Sequence, residues 1–352
     1  MLVGGTDCTG GAGLSADISV VRMLQCYPMP VVSCITSQGP DGFRMMQPAS
    51  IDIFSDQLKS VLSNVRPDAV KIGMLPSSKH LEILPLLLAR FDHGPVIFDP
   101  IMAPTDGADN FNATWWEDPS TLAAFLAHVD MITPNLPELQ QLAETIRRSA
   151  DPLPEDLPNF DTNLMKYMFD MHLVRSFYEL KCVLLTGGHN ADRPFTDILM
   201  HTVGTEEFTN PADAENDDPQ DSENQDESQI FDDSDEIDSC SDTDWDDESE
   251  YDDSGISYNI GIIGGDKIDT PNSHGTGCVY STAIATLLAQ DMKIHIAVSL
   301  AKRLLQMMLD FGKDWRLFES GHGPAFSIVQ IPDSPDKKMP LFPDSGINWM
   351  MN

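Results

Sequence analysis

The chain has 352 residues, 41% of them hydrophobic, and a formal net charge of −35 at pH 7. That charge is concentrated: 206–253 holds 23 Asp and Glu and no Lys or Arg, leaving 21 basic against 33 acidic residues, net −12, in the rest. These figures exclude a non-specific nucleic-acid binder, which needs a basic surface, and a membrane-spanning helix, because no apolar run reaches about 18 residues.

From the N-terminus, Met1–Gly4 reads as a short strand, and Leu14, Ile18, Val21 and Leu24 then recur at helical spacing. Val31–Thr36 is strand-like, and Phe54, Leu58, Val61 and Leu62 mark one face of a second helix. Val70–Gly73 predicts a strand, Leu81–Phe91 a helix and Val96–Phe98 a further strand. Val129–Thr133 predicts a strand, Leu136–Ile146 and Leu164–Leu180 helices, and Cys182–Leu185 a strand. Late in the chain, Val279–Gln290 is helical, and Ile296, Leu300, Leu304, Met307 and Met308 line a last helix. Repeated strand–helix units predict an α/β fold, a mostly parallel central sheet with helices on both faces.

Two segments interrupt this rhythm. Ser149–Asn159, rich in Pro and Asp, reads as a surface loop. The acidic, Ser-rich tract 205–257 has almost no aliphatic content, so it buries too little apolar surface to offset ordering entropy and is expected to be disordered. It separates two strand-like runs, Asp197–Thr202 and Tyr258–Ile263. Insertion there is tolerated because loop-closure cost grows slowly with length. The organisation expected is one domain over 1–330, interrupted by 205–257 and followed by a tail, 331–352. Cysteines at 8, 26, 34, 182, 240 and 278 form no Cys-x-x-Cys pair, which argues against zinc and suits a reducing, cytoplasmic compartment.

The unusual polar and glycine residues gather where each predicted strand ends. They are Gly4–Gly13, Gln38, Gly73-Met74, Asp99-Pro100, Thr133-Pro134-Asn135 with Glu138, and Thr186-Gly187-Gly188-His189. Open parallel sheets bind ligands outside these strand ends. Gly4–Gly13 lacks the Gly-Lys-Ser/Thr ending of a Walker A loop. Asp99 and Glu138 are hard oxygen ligands suited to Mg²⁺, although either alone would pass as a cap or a surface carboxylate. Asp17, one turn into a helix near a strand end, is placed to bond a polar ligand group; His189 and His274 could each be a satisfied structural histidine, which is the simpler reading of His189.

The densest signal is Asn272-Ser273-His274-Gly275-Thr276-Gly277-Cys278. Gly275 and Gly277 permit a sharp turn, and the free N–H groups of the following helix make an anion site. Cys278 falls in the first helical turn, where the dipole is expected to lower its pKa and favour thiolate.

In this order and spacing the residues resemble the hydroxymethylpyrimidine/phosphomethylpyrimidine kinases of thiamine biosynthesis, which are ribokinase-like. The matching stretches are Gly5-Thr6-Asp7-x-x-Gly10-Gly11-Ala12-Gly13-x-x-Ala16-Asp17, Thr36-Ser37-Gln38, Val70–Leu75, Asp99–Met102, Ile132–Glu138, Gly187-Gly188-His189, Ser273–Cys278 and Gly321-His322-Gly323-Pro324. The resemblance implies an ATP-dependent, Mg²⁺-requiring kinase, a homodimer, acting on 4-amino-5-hydroxymethyl-2-methylpyrimidine and on its monophosphate. It implies that Gly5, Asp17, Gln38 and Met74 bind the pyrimidine and that Asn135 and Thr186 lie at the nucleotide. It further implies that Asp99 and Glu138 organise Mg²⁺, and that Gly275, Thr276 and Gly277 form an anion hole beside a catalytic Cys278. Thr186 and Pro271 stand where Lys is common in the family. The remaining alternatives are a pyridoxal kinase and a regulatory relative working through the acidic tract. Some fungal relatives carry a C-terminal thiaminase-like domain, and none is expected in the residues after Pro324.

Overall fold

The computed structural model describes residues 1–39, 42–102, 118–149, 163–187, 196–202, 243–251, 257–314 and 323. The expected loop after Ser149, His189, the tract outside 243–251 and the tail lie outside the described residues.

The chain starts in the middle of the sheet. Strand β1 (Leu2–Thr6) pairs in parallel with β2 (Pro30–Gly39) on one side and β4 (Val70–Ile72) on the other. Beyond β4 the parallel run continues through β5 (Val96–Phe98), β6 (Met131–Ile132) and β7 (Cys182–Leu185). Four strands complete or extend the edges in antiparallel pairings: β3 (Gly42–Pro48) on β2, then β8 (Asp197–Thr202), β10 (Ser257–Ile263) and β9 (Thr243–Tyr251) beyond β7. The full order is β3-β2-β1-β4-β5-β6-β7-β8-β10-β9. The connection reverses direction at β1, which makes a crevice beyond its C-terminal end, the usual ligand position in such sheets.

Side-chain alternation feeds two cores. Val70, Ile72, Val96, Phe98, Ile132, Val183 and Leu185 face α2 (Ile51–Leu62), α3 (Ser78–Leu88), α4 (Pro119–Leu126), α5 (Leu136–Ser149) and α6 (Asn163–Phe177). Ile97, Met131, Cys182 and Leu184 face the other way, into α1 (Gly13–Met23), α7 (Thr276–Leu288) and α8 (Ile294–Gly312). Strands covered on both faces read as short continuous apolar runs, which is why they were legible without alternation. The fold class therefore agrees with expectation.

Part of the acidic tract, 243–251, is among the described residues. There the backbone adds β9 to the sheet edge, with Thr243 opposite Ile263 and Asp246 opposite Ile260. No described helix is long and apolar enough to cross a membrane.

Candidate active site

Two glycine-rich segments meet at the C-terminal end of β1. Asp7 organises the first: its carboxylate accepts from the Thr9 N–H (2.8 Å), the Thr9 hydroxyl (2.8 Å) and the Ala12 N–H (2.8 Å). It also accepts from His274 Nε2 at 3.0 Å, which ties this loop to the turn before α7. Gly275 has φ +85°, and a Cβ there would come within 2.0 Å of the Gly11 carbonyl oxygen. Only glycine satisfies both demands. The turn before α7, which holds the anion cradle expected at Gly275, Thr276 and Gly277, therefore packs against the Gly-rich loop from a distant part of the chain.

Behind the turn lies a buried polar layer. Lys71, the middle residue of β4, faces the α1–α7 side and is 1% exposed. Its Nζ contacts Asp17 at 3.0 and 3.2 Å, and Thr282 donates to Asp17 Oδ1 at 2.7 Å. Asp17 is thus fully buried and its oxygens are occupied. Asp17 thereby lies behind the crevice with Lys71 between it and Gly73. The Lys71 ammonium lies under Gly73, where a Cβ would sit 2.9 Å from Nζ. Burial alone would lower the Lys71 pKa, but Asp17 foremost, then Cys278 and Asp99, raise it above the ordinary value.

Asp99, at the end of β5, is 5% exposed and accepts from Ser281 at 3.2 Å. Its Oδ2 stands 3.8 Å from the Cβ position of Gly277, against the cradle. Burial pushes its pKa up, Lys71 and Ser281 oppose this, and Asp17 adds to it. Glu138 is pushed up to about 8, by burial first and by Asp99 second. Asn135 and Glu138 form a reciprocal cap at the start of α5: Glu138 Oε2 accepts from the Asn135 N–H at 2.8 Å and Asn135 Oδ1 from the Glu138 N–H at 3.0 Å. Thr186 bridges to Asn135 in parallel, its N–H donating to the Pro134 carbonyl at 3.0 Å.

Among the described residues no group of three or more His, Cys, Asp or Glu side chains encloses a metal. Asp99 and Glu138, the second raised by the first, still suit Mg²⁺, which retains waters and shares substrate phosphates rather than using an all-protein cage.

On the opposite side of the crevice, a Cβ on Gly5 would lie 2.8 Å from Cys34 Sγ and 3.4 Å from Met74 Sδ. Ser33 anchors this wall by donating to the Met74 carbonyl at 2.6 Å. Gln38 is partly buried, and its carbonyl accepts from the Cys8 thiol at 3.1 Å. Gly5 and Met74 therefore converge, and Gln38 lies near the C-terminal end of the neighbouring β2.

Cys278 is buried, and its pKa is pushed up to about 12. Burial is the main cause; Asp17 and Asp99 add to it, while Lys71 and the Gly13 N–H oppose it. The expected thiolate is corrected: desolvation and two nearby carboxylates outweigh the helix terminus, and the resting sulfur is a thiol.

The model of the family described as phosphomethylpyrimidine kinase matches residues 7–217 and 249–325. The chain belongs to the phosphomethylpyrimidine kinase family. It is 27% identical over 329 residues to the hydroxymethylpyrimidine/phosphomethylpyrimidine kinase of Escherichia coli, covering 92% of this chain and 94% of that protein. A stretch of 143 residues, 41% of this chain, is 36% identical to thiamine biosynthesis multifunctional protein ThiED of Corynebacterium glutamicum, of which it spans 18%. Its fold is ribokinase-like: it matches an ADP complex of Bacillus subtilis pyridoxal kinase with a TM-score of 0.62 at 20% identity, covering 92% of this chain and 95% of that one. The matched ranges omit 218–248, which lies inside the acidic tract.

In the sequence Lys71 stands out only as part of a motif, and His274 stays open between a structural and a functional reading. A usable signal was present for Lys71: a single charge inside a buried three-residue strand requires a partner. No local signal pointed to Ser281 and Thr282, which read as ordinary helix residues.

Proposed function

We propose that this chain transfers the γ-phosphoryl group of ATP to the hydroxymethyl group of 4-amino-5-hydroxymethyl-2-methylpyrimidine, and then phosphorylates the monophosphate to the diphosphate. The carrying observation is the approach of Asp99 Oδ2 to Gly277, 3.8 Å from its Cβ position, which sets a buried, unneutralised carboxylate against a helix N-terminus. Phosphoryl transfer needs this pairing of positioning and charge control more than covalent chemistry.

In this reading Gly5 and Met74 form the wall against which the pyrimidine ring packs, Gln38 reads its polar edge, and Asp17 supports that wall through Lys71. The N–H groups at Gly275, Thr276 and Gly277 steady the transferring phosphoryl. Asn135 and Thr186 hold the nucleotide side. Asp99 and Glu138 hold Mg²⁺, which when bound supplies charge neutralisation to the phosphate oxygens. Cys278 orients the substrate hydroxyl; as a thiolate, formed by loss of the thiol proton to solvent when Mg²⁺ would neutralise Asp99, its Sγ would take the hydroxyl proton. The same reading includes a cytoplasmic homodimer closed through the β2–β3 edge. Ile35 and Met45 support that edge, since they share one face and are 62% and 66% exposed.

An ADP-release assay with the pyrimidine alcohol, its monophosphate and pyridoxal as separate acceptors tests this. Turnover is expected with the first two in preference to pyridoxal, and product from neither pyrimidine sinks the proposal. Cys278→Ala and Cys278→Ser are each expected to lower kcat by roughly 10²-fold or more; near-normal turnover of both removes Cys278 from proton transfer.

A further inference from the structure

A second buried charge cluster lies between the nucleotide side and α7, and no role proposed above uses it. Asp197, the first residue of β8, is 1% exposed. Its Oδ1 accepts from the Gly187 N–H at 2.7 Å. Its Oδ2 accepts from the Tyr280 hydroxyl at 2.8 Å and from Lys302 Nζ at 2.8 Å. Lys302 also lies 5.7 Å from the centre of the Tyr280 ring. The partners come from three elements: the exit of β7, α7 and α8.

The placement links the two halves of the site. Gly187 follows Thr186 directly, and Thr186 is paired with Asn135. Tyr280 lies two residues beyond Cys278 on α7. Gly187 also runs hard against the start of β8, since a Cβ on it would meet the Thr196 carbonyl oxygen at 2.0 Å. The chain leaving β7 is therefore fixed by backbone crowding on one side and by one carboxylate oxygen on the other.

We infer that Asp197 is a positioning residue for the nucleotide: it holds the Thr186-Gly187 backbone in register with the helix that carries the anion cradle and Cys278. This inference rests on the kinase reading above. Three donors converge on its two oxygens, so the carboxylate is required and an amide is not equivalent. In Asp197→Asn, the single amide oxygen is drawn to the charged Lys302 and to Tyr280, and the amide NH₂ then faces the Gly187 N–H, donor against donor. Packing and the α7–α8 contacts survive while the Gly187 tether is lost selectively.

The test is ADP affinity by calorimetry, together with KM for ATP and for the pyrimidine alcohol, in wild type and Asp197→Asn. The expected result is ADP affinity and ATP KM weakened about tenfold, the factor that about 1.4 kcal/mol represents, with pyrimidine KM changed less than about twofold. A purely structural role would move both substrates together. Unchanged nucleotide affinity in a folded variant, or equal losses for both substrates, overturns the assignment alone. Failure of the wild type to bind ADP overturns the kinase reading and this assignment with it. Should Asp197→Asn not fold, amide hydrogen exchange of wild-type Gly187 decides: slow exchange agrees with the tether, and exchange as fast as open backbone overturns it.

Discussion

Asp17 and Asp99 are buried behind the same glycine turn and are bonded by consecutive residues of α7, Thr282 and Ser281. Asp17 has a built-in cation, Lys71 at 3.0 Å, as well as a hydroxyl. Asp99 has a hydroxyl at 3.2 Å and feels Lys71 only at longer range, while Asp17 works against it. In the proposed reading, the pyrimidine side is electrostatically closed by the fold and the phosphate side is one positive charge short, a deficit that the proposed Mg²⁺ would meet.

Breaking the balanced side should have the largest effect. Lys71→Met leaves Asp17 buried without a cation, and we expect about 3–5 kcal/mol of stability to be lost, measured by urea unfolding. Asp17→Asn combined with Lys71→Met should recover much of it; a single-variant loss below about 1 kcal/mol would contradict the picture. Asp99→Asn sharpens the contrast because its effects run opposite ways. Removing an unneutralised buried charge should leave the metal-free protein as stable or more stable, while turnover falls by roughly a hundredfold or more. A Tm lowered as far as in Lys71→Met would show that Asp99 is neutralised after all.

Gly275→Ala tests whether the cradle depends on backbone crowding rather than charge. With φ +85° and the Gly11 oxygen 2.0 Å from the added Cβ, a loss of about 1–3 kcal/mol is expected by thermal unfolding, together with reduced turnover. The smallest effect concerns pH. Burial alone would raise Asp7, but hydrogen bonds from His274 and Thr9 outweigh it and hold its pKa below 3.8. A lowered carboxylate stabilises fully above its unfolded value and loses that contribution as pH falls through the folded one. Asp7→Asn should therefore flatten the fall of Tm below pH 3.8. An acid limb identical to wild type would remove Asp7 from the account.

Much of the architecture was readable because both faces of the central strands are covered. Val96–Phe98 and Cys182–Leu185 matched their predicted limits for that reason. Besides β9, two elements were not anticipated. Helix α4 has its own start signal, the Asp118 cap with Pro119 at its first position, that went unused. Strand β3 carries no alternation and exists because β2 offers it an edge. At the site, the gathering of Gly5, Met74, Asp99, Asn135, Thr186 and the 275–278 turn along one sheet edge was legible from strand-end positions. The roles of Asp17 and the ionisation of Cys278 were not, since each depends on what lies opposite in space.

The amino-acid sequence by itself determined the strand–helix succession, the edge on which the site is built and the family, because apolar periodicity and glycine-bearing turns are local properties. The tertiary structure alone decided the charge balance. Lys71 meets Asp17 across 54 residues, Thr282 meets Asp17 across 265 and His274 meets Asp7 across 267. Desolvation and pairing act through space, so whether a buried acid is neutralised, or a cysteine is a thiol, is settled only when those distant segments pack together.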